Sequence, residues 1–300
     1  MEIHSKAFAL ISRKEVKEAA EKWTVVMAAG LFALHLLLIF LRNTYPGIEL
    51  LRPLNANYLS ALYTPFSIIL VYEVFMLILA LPLSFTNSIR KQYEIISLIV
   101  IRRVFKDISE FDNFDDFADQ PDVVLQIATD LGSGLLLFLL VGLFYHVSLY
   151  RRSYKRLTKD QIKTFVRLKE YISLLLLGVF SFLTLYSIYS FTSEVYGLVV
   201  NEDVFTLDLN IIFFTEFYTV MIFADVFIFI LSFMFGQRYA SLLRNAGFVS
   251  STVILRISLS ADPVYSGWIA ASAVLTGVIS QLIYVYFMKL QEKGMNKTSD

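Results

Sequence analysis

The sequence predicts an all-α polytopic membrane protein with eight transmembrane helices, arranged as two tandem parallel four-helix repeats. Hydrophobic residues make up 57% of the 300 residues, whereas a soluble domain is typically ~45–50% apolar. Several apolar runs are also long enough to cross a bilayer, which takes ~20 helical residues. The distribution of lysine and arginine along the chain then predicts the number and direction of the crossings.

Six apolar runs predict membrane spans, and two weaker segments could either cross or lie on the surface. The six runs cover about residues 24–41, 58–84, 123–150, 171–199, 210–236 and 264–288. If the weaker segments 93–111 and 246–260 also cross, twenty of the 26 lysines and arginines fall on one side, and the acidic run 110–122 falls on the other. Because cytoplasmic loops are rich in basic residues, we expect an integral, multi-pass protein with eight crossings and both termini in the cytoplasm.

The two halves of the chain follow the same order of segments. Each opens with an amphipathic stretch, ISRKEVK in the first half and LTKDQIK in the second, and continues with an apolar, an acidic, an arginine-bearing and a closing apolar helix. Residues 1–150 are therefore predicted to be one four-helix repeat with an amphipathic N-terminal segment. Residues 151–300 are predicted to be a second repeat preceded by a basic cytoplasmic linker. Since four crossings return the chain to the same side, the repeats would be parallel, as in some transporters.

Charged residues inside the apolar spans are the first candidate functional residues, because a charge near the bilayer centre costs roughly 2.5–3.5 kcal/mol on insertion scales. Glu73 precedes Arg102 and Arg103 by about thirty residues, and Asp225 precedes Arg256 by 31. The sequence predicts that each acid contacts an arginine of the next helix near the midplane. Two interpretations stay open: structural ion pairs that fix helix packing, or charges on a water-filled path or a moving element.

Three further charged residues extend the predicted ion pathway. Lys106 follows Arg102 by four residues, which puts both on one helix face. Asp130 and Glu216 lie toward the outer ends of their spans. Together with the acidic run they would make the outer mouth negative, and such a field concentrates cations. Acidic loops that merely keep the outer surface soluble are the alternative.

Enzymatic and metal chemistry have little support in the sequence. There is no cysteine, and the three histidines show no metal-ligand spacing. Phosphate-binding, dinucleotide-binding, zinc-protease and serine-hydrolase motifs are absent. We therefore predict no enzyme, no cofactor and no metal site. The formal net charge of zero also gives no indication of a nucleic-acid partner.

The predicted function is a membrane ion channel or ion-coupled transporter, with a cation or a proton favoured, that uses the acid–arginine pairs. The alternative is a non-transporting scaffold, sensor or accessory subunit that docks partners through the basic linker 151–170, which also suits anionic lipid head groups. Predicted partners are the lipid bilayer, an inorganic cation or proton, and a second copy of the chain. Small residues on the fourth and eighth helices let backbones approach closely, either inside the bundle or between subunits. These are Ala128 with Gly132, Gly267 with Ala271, and Ala273 with Gly277.

Overall fold

A computed structural model describes most of the chain and is all-helical over the described residues, with no strands. The described residues are 8–45, 47–48, 51, 54–82, 84–108, 121–149, 159–201, 209–234 and 239–296. Most of the acidic run 110–122 and the first part of the linker 151–170 lie outside these ranges.

Eight long helices follow one another along these ranges, one for each predicted segment. They are α1 (Lys14–Thr44), α2 (Tyr63–Ala80), α3 (Phe85–Ile108), α4 (Pro121–Ser148), α5 (Lys159–Asn201), α6 (Leu209–Met234), α7 (Tyr239–Leu259) and α8 (Pro263–Asn296). A 3₁₀ turn over Tyr58–Leu62, capped by the Asn57 side chain, leads directly into α2. The tight turn into α8 has Asp262 accepting a hydrogen bond from the Val264 backbone N–H at 3.0 Å, followed by proline at the first helical position.

Six of these helices are long and apolar enough to cross a membrane: α1, α2, α4, α5, α6 and α8. Large apolar side chains point outward from them, and Trp23, Phe182, Tyr189 and Phe227 are each more than 60% exposed. Monomeric soluble proteins rarely expose such extensive apolar surface. The helices therefore indicate an integral membrane protein whose outer surface faces lipid.

The two remaining helices, α3 and α7, are more polar and lie against other helices. Helix α3 packs on α2, α4, α7 and α8, and α7 packs on α6, α8 and α3. Buried side chains on α3 include Gln92, Tyr93 and Arg102. Both helices begin about seven or eight residues before the segments predicted from hydropathy, because their first turns carry the polar residues that hydropathy scores against.

The order of neighbouring helices is the same in the two halves of the bundle. Helices α1 to α4 pack in sequence, as do α5 to α8, and the halves meet through α4–α8, α3–α7, α3–α8 and α2–α5. The hydrophobic core includes Leu77, Phe144, Phe217 and Phe248, drawn from both halves. The two halves therefore share one core.

Glycines of α8 allow the closest approaches between helices. A Cβ atom at Gly277 would collide with the hydroxyl group of Tyr93 on α3, and one at Gly267 would collide with the Ser133 hydroxyl on α4. These small residues pack within the chain, one of the two uses predicted for them. A homo-oligomer stays a prediction.

Residues 159–170 of the predicted linker form the first turns of α5. Their amphipathic pattern buries part of this segment: Lys169 is only 4% exposed, and its ammonium group lies 4.9 Å from the centre of the Phe165 ring. This part of the predicted docking surface is therefore helical, and one of its basic side chains points inward.

Candidate functional site

Among the described residues, the most deeply buried carboxylate belongs to Asp225 of α6, which has no exposed surface. The side-chain amide of Gln92 on α3 donates a 2.9 Å hydrogen bond to its Oδ2 atom. Thr252 of α7 contributes a further polar contact to the carboxyl group. No ion pair to Asp225 occurs within the described part of the chain. Asp225 is thus held by neutral groups from two other helices.

Further hydrogen bonds join four helices at this level. The Tyr218 hydroxyl of α6 donates to the backbone carbonyl of Gln92 at 2.9 Å. The hydroxyls of Tyr93 on α3 and Ser251 on α7 are 2.7 Å apart, and Ser251 donates to the carbonyl of Ala273 on α8 at 2.6 Å. Here the central polar cluster means the side chains of Ser88, Gln92, Tyr93, Tyr218, Asp225 and Ser251.

Three oxygen atoms of the central polar cluster are buried without a hydrogen-bond partner among the described residues. They are Oδ1 of Asp225, Oε1 of Gln92 and Oγ of Ser88. Ser88 precedes Gln92 by four residues, so the two lie one turn apart on one face of α3. An unpaired buried polar atom costs about 1–3 kcal/mol. The Ser88 hydroxyl can donate or accept, whereas Oδ1 of Asp225 and Oε1 of Gln92 only accept, so these two atoms favour an added positive charge or hydrogen-bond donor.

The predicted contact of Glu73 with Arg102 or Arg103 is wrong, because Glu73 pairs with Lys91 at 2.9 Å. Helices α2 and α3 form an antiparallel hairpin. Glu73 lies seven residues before the end of α2, and Lys91 lies six residues after the start of α3, so the two are level. Arg102 lies 17 residues after that start and is therefore about 16 Å farther along the helix axis than Lys91.

Lys91 belongs to a small ion-pair network near the turn between α2 and α3. It bridges Glu73 and Glu94, the latter at 2.7 Å, and Arg90 reaches Glu94 at 3.4 Å. Arg90 also lies over the Tyr145 ring of α4, with 5.3 Å from the guanidinium carbon to the ring centre. These four charged side chains are 20–31% exposed, so the network is partly hydrated.

The predicted contact between Asp225 and Arg256 is wrong for the same geometrical reason. Asp225 lies nine residues before the end of α6, whereas Arg256 lies 17 residues after the start of α7. Arg256 instead donates to the hydroxyls of Thr219 and Ser260, each at 2.6 Å.

Arg102 and Arg103 face different neighbours in the C-terminal half of α3. Arg102 is 2% exposed, donates to Ser67 at 3.2 Å, and lies 4.6 Å from the Tyr63 ring centre. Arg103 donates to Ser266 at 2.9 Å. Adjacent residues on a helix point in directions about 100° apart, which explains their separate surroundings.

The other predicted pathway residues are dispersed. Asp130 is 1% exposed, and its Oδ2 atom is 3.9 Å from Nε of Arg103, so this acid and arginine do meet, although they were not predicted as a pair. Glu216 is exposed near the N-terminal end of α6. Lys106 lies on α3, and its side chain is outside the described residues.

Sequence reasoning missed Lys91, Ser88 and Gln92. Lys91 lies between the predicted segments 58–84 and 93–111, although counting residues from the turn puts it level with Glu73. The polar pair Ser88 and Gln92, four residues apart, was a signal of one polar face on α3. The contact of Gln92 with Asp225 spans 133 residues, and no local spacing predicts it.

Metal binding by several histidines or acids finds no support in the described part of the chain, where no group of three or more such residues comes together. No family model matches the chain, and no curated protein or solved structure is significantly similar to it.

Proposed function

We propose that this chain moves a cation or a proton across the membrane, as an ion channel or ion-coupled transporter, with Asp225 as the central ion-binding residue. The observation that carries this proposal is a fully buried carboxylate that makes no ion pair in the described part of the chain. An isolated carboxylate in an apolar interior is so costly that it acquires a proton or a counterion. Ionisable residues inside membranes commonly mark ion pathways and proton relays.

Eight crossings, with both termini in the cytoplasm, are part of the proposal. At 1.5 Å per residue, the 24 residues of α3 and the 21 residues of α7 are long enough for a core of about 30 Å. Neighbouring helices cover their polar faces, so these faces are kept away from lipid and the cost of insertion is lower. The excess of basic residues on one side then gives the orientation.

The tandem parallel repeat is supported by the matching order of neighbours in the two halves. The contacts α3–α7 and α4–α8 each join a helix to its counterpart, which is compatible with a twofold axis along the membrane normal. Under this relation Glu73 and Asp225 lie at similar depth on corresponding helices, seven and nine residues before the helix ends, yet their surroundings differ. Glu73 has a lysine partner, whereas Asp225 has an amide. We therefore assign ion binding to Asp225 and a structural role to the pair of Glu73 with Lys91.

Carboxylates between the proposed outer side and the central polar cluster support entry of a positive ion from that side. Asp130 is buried with both carboxylate oxygens lacking hydrogen bonds in the described residues, and Glu216 is exposed near the outer end of α6. Arg103 limits the negative potential at Asp130. Glu216 and Asp130 would then attract a cation toward the bundle, and Arg102 and Arg103 would regulate how far it penetrates.

The test is ion flux into liposomes that contain the purified protein, measured with a pH-sensitive dye and, separately, with sodium and potassium tracers. Asp225→Asn keeps the shape of the side chain and an acceptor for Gln92, so the protein should fold while flux falls at least tenfold. Glu15→Gln, at an exposed acid of α1, is the matched control and should keep full flux.

Full flux in folded Asp225→Asn would refute the role of this residue. The absence of flux of every ion in the unaltered protein would favour the alternative, a non-transporting scaffold, sensor or accessory subunit that uses the linker 151–170.

A further inference from the structure

We propose that the ion is a proton, held on Oδ1 of Asp225 in a cyclic carboxylic acid–amide pair with Gln92. This inference rests on the proposed function, because it identifies the ion that occupies the same site. The cyclic pair consists of two hydrogen bonds in opposite directions between two planar groups. The amide N–H of Gln92 donates to Oδ2 of Asp225, and the protonated Oδ1 donates to Oε1 of Gln92.

One of these two hydrogen bonds is present, and the atoms needed for the other are both unpaired. The Gln92 amide nitrogen lies 2.9 Å from Oδ2. The remaining oxygen of each group, Oδ1 of Asp225 and Oε1 of Gln92, is buried without a partner in the described residues. Both are acceptors when the carboxyl group is ionised, so neither can satisfy the other. A single proton converts Oδ1 into a donor and satisfies both atoms.

The same proton removes the buried charge. Asp225 is fully buried and has no ion pair in the described part of the chain. Its neighbours are neutral: the amide of Gln92 and the hydroxyl of Thr252. Protonation therefore resolves the charge and the two unpaired acceptors together, where a water molecule would resolve only the hydrogen bonding.

The titratable groups facing Asp225 do not compete for this proton. They are the buried phenols of Tyr93, from α3, and Tyr218, from α6. The Tyr93 hydroxyl is bonded to Ser251, and the Tyr218 hydroxyl donates to the Gln92 carbonyl. Helix α7 brings the Thr252 hydroxyl, and no charged group on the described parts of α5 or α7 forms an ion pair with the carboxyl group.

Loading the proton onto Asp225 forms one bond, and releasing the proton breaks the same bond. Loading forms the Oδ1–H bond as a hydronium ion gives up its proton, and release breaks this bond and returns the proton to a water molecule. Release leaves a bare carboxylate beside Oε1 of Gln92. The two acceptors then repel each other, so release needs water or a movement between α3 and α6.

Infrared difference spectroscopy tests the pair through the C=O stretch of a protonated carboxyl group. The unaltered protein in lipid should show this band at neutral pH, lose it at high pH, and lack it in the Asp225→Asn variant. Gln92→Leu removes the amide, so the Asp225 band should shift in frequency. Gln281→Leu is the matched control, since Gln281 is also a buried amide, and should leave the Asp225 band unchanged.

Two results would overturn the inference. One is the absence at neutral pH of any protonated-carboxyl band that depends on Asp225. The other is stabilisation of the protein by sodium or potassium chloride, relative to choline chloride, that disappears in Asp225→Asn, because this would show a metal cation at the carboxylate. Neither readout requires the variant proteins to transport.

The outcome also separates this inference from the proposed function. A protonated Asp225 in a protein that passes no ion in liposomes would keep the acid–amide pair and refute transport. Flux that depends on Asp225 in a protein with an ionised carboxyl group would keep transport and refute the pair.

Discussion

Replacing Gly277 by alanine should destabilise the bundle at the contact between α3 and α8. An added Cβ atom would collide with the Tyr93 hydroxyl and would lie 2.7 Å from the ring carbon that carries it. The Tyr93 ring cannot easily move, because it is fully buried, packs edge-on against Phe144 at 5.0 Å between ring centres, and is bonded to Ser251.

The expected loss combines two costs. Overpacking a tight core costs typically ~1–3 kcal/mol, and displacing Tyr93 from Ser251 forfeits a hydrogen bond worth about 0.5–1.5 kcal/mol. The sum is roughly 1.5–4.5 kcal/mol. Because 1 kcal/mol shifts the melting temperature of a 150–250-residue domain by about 2–4 °C, the midpoint in detergent, followed by circular dichroism, should fall by several degrees.

Gly142→Ala is the matched control for Gly277→Ala, because a Cβ atom at Gly142 meets no other atom within 4 Å. This variant should be as stable as the unaltered protein or slightly more so, since alanine favours helix over glycine. Adding Tyr93→Phe to Gly277→Ala removes the colliding hydroxyl and should restore part of the loss. If Gly277→Ala were as stable as Gly142→Ala, the close approach of α3 and α8 would be refuted.

Three other predictions concern the ion pairs and the topology. Lys91→Met should lower the free energy of unfolding by roughly 1–3 kcal/mol, less than the ~3–5 kcal/mol for breaking a fully buried pair, because Lys91 and Glu73 are about a fifth exposed. Adding Glu73→Gln should recover stability. If the losses of the two single variants in thermal unfolding simply add, the pair is contradicted. The losses of stability in Asp225→Asn and Arg256→Gln should add within ~0.5 kcal/mol, as for residues that do not touch. Strong coupling between the two changes in a double-mutant cycle would contradict the separation of these side chains. Single cysteines in the two predicted outer loops should react with an impermeant reagent added outside, whereas one in the predicted inner linker should not, and the reverse pattern would refute the eight-crossing topology. These positions are Asn113 and Asn201 outside and Ser153 inside.

The helices were predictable from the sequence because apolar runs of membrane length have few alternative structures. The contacts inside an antiparallel hairpin were predictable in principle, although they were predicted wrongly. Counting residues from the turn, rather than comparing chain separations of about thirty, puts Glu73 level with Lys91. A similar interval between acid and arginine in both halves reflects similar distances of these residues from the two turns and does not bring the charges together.

Contacts between the halves were beyond local sequence reasoning. The approach of Gln92 to Asp225 depends on how α3 and α6 are placed by the other helices, and the burial of Arg102 depends on Tyr63 and Ser67 of α2. Hydropathy alone also scores α3 as a weak membrane segment, because its polar residues are buried by neighbouring helices that a single-segment average does not include.

The two acids differ in a way that bears on how an ion could cross. Glu73 is neutralised within its own hairpin by Lys91, so that contact survives any movement of one half against the other. Asp225 has no such local partner: the residue level with it on α7 is Phe248, nine residues after the start of that helix and fully buried in the core. Its partner, Gln92, belongs to the other half. Rocking of one half against the other, as in transporters that work by alternating access, would therefore separate Asp225 from Gln92 and leave Glu73 paired. We expect release at Asp225 to depend on the relative position of the two halves.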